Sequence, residues 1–95
     1  LKRLMDLIRA AFRADDLPVV IGQISYSKKE PPSWKHGEIV REAQAKYVEA
    51  DAAAALVTTT DQYGYSDPWH YDSPGYIDLG RQFANATADL EQGKK

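Results

Sequence analysis

Val19-Val20-Ile21-Gly22-Gln23-Ile24 is an apolar, β-branched run that begins directly after Pro18. A short continuous apolar run next to a helix breaker predicts a strand buried on both faces. Upstream, Leu1, Leu4, Met5, Ile8, Ala11 and Phe12 recur at three- and four-residue spacing, and Lys2, Arg3, Asp6, Arg9 and Arg13 fill much of the opposite side. That is an amphipathic helix, expected to end near residues 14–16. Downstream, residues 26–36 read as a loop broken by Pro31-Pro32, and residues 37–50 return to helical spacing through Ile39, Val40, Ala43, Tyr47 and Val48. Residues 52–59 form a second apolar stretch. Its alanine-rich start could equally extend the preceding helix, so the strand core is expected at residues 55–59. Residues 60–72 are a long polar and aromatic loop. Ser73 suits the N-cap and Pro74 the first position of a last helix, which runs to about Leu90 through Tyr76, Ile77, Leu79, Phe83, Ala84 and Ala88. Residues 93–95 are a frayed tail.

The order is helix, strand, helix, strand, helix. Continuous apolar strands alternating with amphipathic helices predict parallel strands covered on both faces. Two strands bury too little surface to support three helices on a stable ribbon. The expected fold class is therefore α/β, with residues 1–95 forming the C-terminal part of a larger doubly wound parallel-sheet domain. Its remaining strands would be supplied by an upstream segment or by a partner copy.

Composition narrows the function classes. The 95 residues are 43% hydrophobic and 27% charged, as in an ordered globular chain. A net charge of −2 gives no electrostatic argument for nucleic acid or an anionic membrane surface as partner. No apolar run approaches the roughly 20 residues that span a bilayer. The absence of cysteine excludes disulfides and thiolate metal sites. His36 and His70 are the only histidines, and one histidine among scattered carboxylates is no zinc pattern, so no zinc site is expected.

Chemistry concentrates in Asp67-Pro68-Trp69-His70-Tyr71-Asp72-Ser73-Pro74-Gly75-Tyr76. This loop leaves the second strand at its carboxyl end, where open parallel sheets gather functional groups. Pro68 fixes its own φ and biases Asp67 to an extended backbone. A three-residue step can then bring the Asp67 carboxylate to Nδ1 of His70, fixing the tautomer that leaves Nε2 free. Asp72 is the competing orienter, although a carboxylate two residues away usually points elsewhere. Trp69 and Tyr71 can wall the site. The plainer reading is equally physical: Asp-Pro opens turns, and Asp72 or Ser73 caps the helix.

The same stretch, continued through Ile77-Asp78-Leu79-Gly80-Arg81-Gln82-Phe83-Ala84, resembles the last motif of SGNH (GDSL-type) hydrolases. More narrowly, it is similar to the sialate O-acetylesterase and acetyl xylan esterase-like branch, carbohydrate esterase family 6. There a D-x-x-H precedes a helix reading roughly G-x-x-x-L-G-x-R-x-A. Gly75 and Leu79-Gly80 match, while Arg81 directly follows Gly80. Leu17-Pro18-Val19-Val20-Ile21-Gly22-Gln23-Ile24, Ile39-Val40-Arg41-Glu42-Ala43-Gln44 and Val57-Thr58-Thr59-Thr60-Asp61 resemble the branch's earlier strand, helix and strand-plus-acid motifs in the right order.

The resemblance implies a flavodoxin-like, three-layer α/β/α SGNH domain and a serine esterase acting on acetylated carbohydrate. His70 would be its general base, Asp67 the orienting acid and Trp69 a sugar-stacking residue, with no cofactor. It implies a serine nucleophile and oxyanion groups from earlier blocks, in an upstream segment of the same protein. A secreted or periplasmic location accords with the family. Ser25, in Gly22-Gln23-Ile24-Ser25, is displaced by one residue from the nucleophile motif and lies in a late strand, so it reads as strand-end polarity. Arg41 is expected on the surface, Gln44 on backbone groups and Asp61 as a solvated loop acid, with binding or bracing the site as its alternative. Trp34, Tyr63, Tyr65, Tyr71 and Tyr76 are expected chiefly to pack. A non-catalytic α/β or carbohydrate-binding module, or an SGNH hydrolase of lipid esters or thioesters, are the alternatives.

Overall fold

The computed structural model describes residues 1–25 and 35–95. Most of the loop around Pro31-Pro32, with Trp34, lies outside the described residues. Three helices and two strands follow in the expected order: α1 (Lys2–Phe12), β1 (Val19–Gly22), α2 (Gly37–Ala50), β2 (Ala54–Val57) and α3 (Ser73–Glu91), with a 3-10 turn at Thr59–Gln62. The chain is a small α/β unit. β1 and β2 pair in parallel, Val19 opposite Ala54 through Gly22 opposite Val57.

Strand periodicity divides the sheet into two faces. Val19, Ile21, Ala54 and Leu56 meet Met5 of α1 and Tyr47 and Val48 of α2. On the other face Gly22 lies under α3. A Cβ there would come within 3.0 Å of Phe83 Cζ and 3.8 Å of Leu79 Cδ1, so the absent side chain lets α3 approach the sheet. The fully buried apolar core is small, formed by Tyr47, Val48, Ala54 and Val57.

Both strands are shorter than their apolar runs. At β1, Gln23 N–H still donates to Val57 O, but Ile24 N–H donates to the Gln44 side chain and Ile24 O accepts from Arg41. The backbone of Gln23 is closed by Thr60, whose buried hydroxyl donates to its carbonyl at 2.7 Å. Side chains from α2 and the 3-10 turn thus take over backbone groups that a further strand residue would have used, and β2 ends at Val57 instead of Thr59. Helix α1 stops at Phe12 because Arg13 adopts a left-handed conformation (φ 52°), its own N–H and that of Ala14 returning to Ala10 O and Arg9 O.

One charged residue joins α1 to the rest. Arg9, 8% exposed, donates to Leu17 O through Nε and Nη2 and grips Asp51 through Nη1 at 2.5 Å and Nη2 at 3.3 Å. Asp51 also accepts from Tyr47 O–H at 2.7 Å and Ala53 N–H at 2.9 Å. By contrast, Leu4, Leu7 and Phe12 of α1, Ile39 of α2 and Ile77 of α3 are more than half exposed. A groove of about 420 Å³ opens between Leu1, Ile21, Ile39, Val40, Ala43 and Gln44.

Candidate functional site

The segment after β2 folds back on itself. Asp72 N–H donates to Gly64 O and Ser66 N–H to His70 O, and Tyr65 and Tyr71 form an antiparallel bridge. Residues 64–72 are therefore a tight hairpin with Asp67-Pro68-Trp69 at its tip. The Asp67 carboxylate closes that tip: Oδ1 accepts from Trp69 N–H and His70 N–H, both at 2.7 Å. This is an Asx-type turn, favoured by aspartate before proline.

The turn also brings the carboxylate to the imidazole. Asp67 Oδ2 lies 2.8 Å and Oδ1 3.0 Å from His70 Nδ1. Nε2 makes no hydrogen bond among the described residues. The backbone N–H of Trp69, then the imidazole of His70, hold the Asp67 carboxyl below the usual carboxylate range, so it is ionised at neutral pH. The side chains of Asp67 and His70 are 44% and 64% exposed. Trp69, between them in sequence, is also about half exposed.

Asp72 does not face His70. It is the N-cap of α3, its Oδ1 accepting from Gly75 N–H at 2.9 Å, with Ser73 and Pro74 already inside the helix. The cap expected at Ser73 therefore sits one residue earlier, because hairpin closure at Gly64 places the Asp72 carboxylate over the first turn. Gly64 leaves room for that carboxylate: a Cβ there would fall 2.3 Å from Asp72 Oδ2, which would have to move. Gly64→Ala should displace the cap and lower unfolding free energy by about 1 kcal/mol, the usual worth of an N-cap. Denaturant melts of the two proteins measure it, and equal midpoints would mean that the cap does not hold the loop.

Behind the hairpin lies a layer that sequence reasoning only partly foresaw. The Tyr71 ring has its centroid 5.4 Å from each of Tyr63, Tyr65 and Tyr76, so these aromatics pack on one another. Tyr63 O–H donates to Asp78 at 2.6 Å. Burial, then this carboxylate, raises the Tyr63 hydroxyl above its ordinary pKa. Ser25, 4% exposed at the carboxyl end of β1, accepts from Tyr71 O–H at 2.9 Å and shares a 2.5 Å hydrogen bond with Tyr65 O–H. Its place at the strand end matches the sequence reading. Its tyrosine partners, 40 and 46 residues away, left no local signal.

Arg41 corrects one expectation, while Asp61 stays exposed as expected of a loop acid but is ion-paired. Arg41 is largely buried, its side chain 16% exposed. It clasps both carboxylate oxygens of Asp61 at 2.9 and 2.8 Å and donates to Ile24 O at 2.6 Å. Asp61 is thus a brace across the strand ends, and its hydrogen bond raises the Arg41 pKa further above its ordinary value. Gln44 does serve backbone groups, at Ile24 N–H and Gly22 O. Among the described residues no three carboxylate or imidazole groups converge as metal ligands, and no helix is long and apolar enough to cross a membrane.

The profile of a family described as carbohydrate esterase, sialic acid-specific acetylesterase matches residues 1–89. Neither curated proteins nor solved structures gave a match. The family match runs from α1 through nearly all of α3 and includes the Asp67–His70 hairpin and the Arg41–Asp61 brace within one continuous span. This chain therefore belongs to the sialic acid-specific acetylesterase family of carbohydrate esterases.

Proposed function

We propose that residues 1–95 supply the aspartate and histidine of a serine esterase that removes O-acetyl groups from carbohydrates. The observation that carries this is the 2.8 Å contact between Asp67 and His70 Nδ1, in a chain of an esterase family, with Nε2 directed away from the carboxylate. A serine attacks the acetyl carbonyl while His70 Nε2 takes its proton. The same nitrogen then protonates the departing sugar oxygen, leaving an acetyl-serine ester. Water, deprotonated by His70, releases acetate and restores the serine. Asp67 keeps Nδ1 protonated and stabilises the imidazolium throughout. Trp69, half exposed and adjacent to His70 in sequence, is assigned to stacking on the sugar.

The nucleophile in this proposal lies outside residues 1–95, together with the oxyanion donors. Ser25 is buried against two tyrosine hydroxyls, and the Ser66 hydroxyl donates to the backbone carbonyls of His70 and Tyr71. The larger domain is a doubly wound, three-layer sheet of which β1 and β2 are two strands. The exposed apolar residues of α1 and α2, and the groove at Ile21 and Ile39, support this, since ordinary monomers leave few contiguous apolar surfaces open.

The full gene product should release acetate from O-acetylated sugars faster than it cleaves longer acyl esters. A fluorophosphonate probe should label one serine outside residues 1–95. No acetate release, or label on Ser25, would overturn the reading.

A further inference from the structure

We propose that Tyr71, acting through the buried hydroxyl of Ser25, is a positioning residue that sets where the His70 imidazole stands; this rests on the esterase reading above. His70 is carried near the tip of a hairpin whose legs are Tyr65 and Tyr71. Both legs reach the same atom. Tyr71 O–H donates to Ser25 Oγ at 2.9 Å, and Tyr65 O–H lies 2.5 Å from it. Ser25 is 4% exposed and follows β1 at the carboxyl end of the sheet. One strand end thus anchors both legs of the loop that carries the acid–base pair.

The geometry separates this anchor from ordinary packing. The rings of Tyr63, Tyr65 and Tyr76 surround Tyr71 at 5.4 Å, and such contacts tolerate sliding and tilting. A hydrogen bond between fixed atoms does not: its strength falls steeply with distance and angle. Tyr71 is also the residue directly after His70, so any rocking of its leg passes to the imidazole with little attenuation. The local turn holds Asp67 and His70 to each other through Oδ1, Oδ2 and Nδ1. It does nothing to hold the pair against the sheet. The Ser25 anchor supplies that second constraint, which proton transfer to a serine on another element requires. Ser25 is thereby assigned a role other than nucleophile.

Tyr71→Phe, Ser25→Ala and the double variant of the full gene product test the anchor, with kcat counted per fluorophosphonate-titrated active site. Each single variant should lower kcat for an acetyl ester about 10-fold, within the range that small misplacements produce, with KM changed less than about twofold. The double variant should fall no more than about twofold below Ser25→Ala, because both changes cut one connection. A purely structural role would reduce the titrated fraction and leave kcat per site unchanged, which would overturn the proposal. Multiplicative losses in the double variant would also overturn it. His70→Ala is run alongside. If it is inactive while Tyr71→Phe and Ser25→Ala behave as wild type, the anchor fails and the esterase reading survives. If His70→Ala keeps normal turnover, the esterase reading fails and takes the anchor with it.

Discussion

His70→Ala in the full gene product should lower turnover of an acetyl ester by about 10⁴-fold or more, because the proposed mechanism gives the serine proton to His70. Asp67→Asn should cost less, though still orders of magnitude. The asparagine carbonyl can go on accepting from Trp69 N–H and His70 N–H, so the turn survives. Its amide NH₂ then faces Nδ1 as a donor, which leaves the proton on Nε2, the nitrogen that must receive one. Asp67→Ala removes the turn's acceptor as well and should fall nearer to His70→Ala. Steady-state kinetics on a small acetyl ester give the order. Normal hydrolysis by His70→Ala would end the assignment. Equal activity of Asp67→Asn and wild type would remove Asp67 from it.

Arg9→Ala should destabilise the fold by about 3 kcal/mol, the low end for breaking a buried ion pair from one side. The substitution strands the Asp51 carboxylate, 16% exposed at its side chain, and leaves Leu17 O without its guanidinium donors. In the native state the Arg9 hydrogen bond foremost, against an opposing cost of burial, holds Asp51 at about 2. A carboxylate whose folded pKa is depressed contributes stability that is present above the unfolded value, near 4, and is lost as pH falls toward 2. That contribution is about 2 kcal/mol. At the other end Tyr47 is raised to about 12, by burial first and the Asp51 hydrogen bond second. A raised folded pKa leaves stability intact below pH 10 and removes it as pH climbs toward 12. Denaturant unfolding as a function of pH should show losses in both windows. Arg9→Ala should flatten the acidic one, and an unaltered acid limb would mean that the pair contributes nothing.

The order of elements was legible because each amphipathic helix and each apolar run announces itself within a few residues. Helix α2 falls on the boundaries its spacing predicts. Strand ends were not legible, because Gln44, Arg41 and Thr60 take backbone groups from residues 17 to 37 positions away, and no local pattern encodes such bonds. The Asp67–His70 contact is three residues long and rests on proline and an Asx turn, so local chemistry suffices to anticipate it. The Ser25 hydroxyl cluster and the Arg41–Asp61 brace depend on which elements meet at the sheet's carboxyl rim. Composition suggested a surface arginine and a solvated aspartate there, and tertiary pairing made them a clasp.

The parallel ribbon of β1 and β2 has a consequence for handling the polypeptide in isolation. Gln44 and Arg41 already take Gly22 O, Ile24 N–H and Ile24 O on the outer flank of β1. Among the described residues β2 has no strand partner but β1, so its other flank presents a row of amides and carbonyls. Such a flank is a template on which another chain can crystallise as an added strand. Identical molecules are the nearest candidates in a concentrated solution, and the bare leucines and isoleucines nearby would reinforce the match. Self-association that grows with concentration is therefore expected of this arrangement wherever nothing else occupies the open flank of β2.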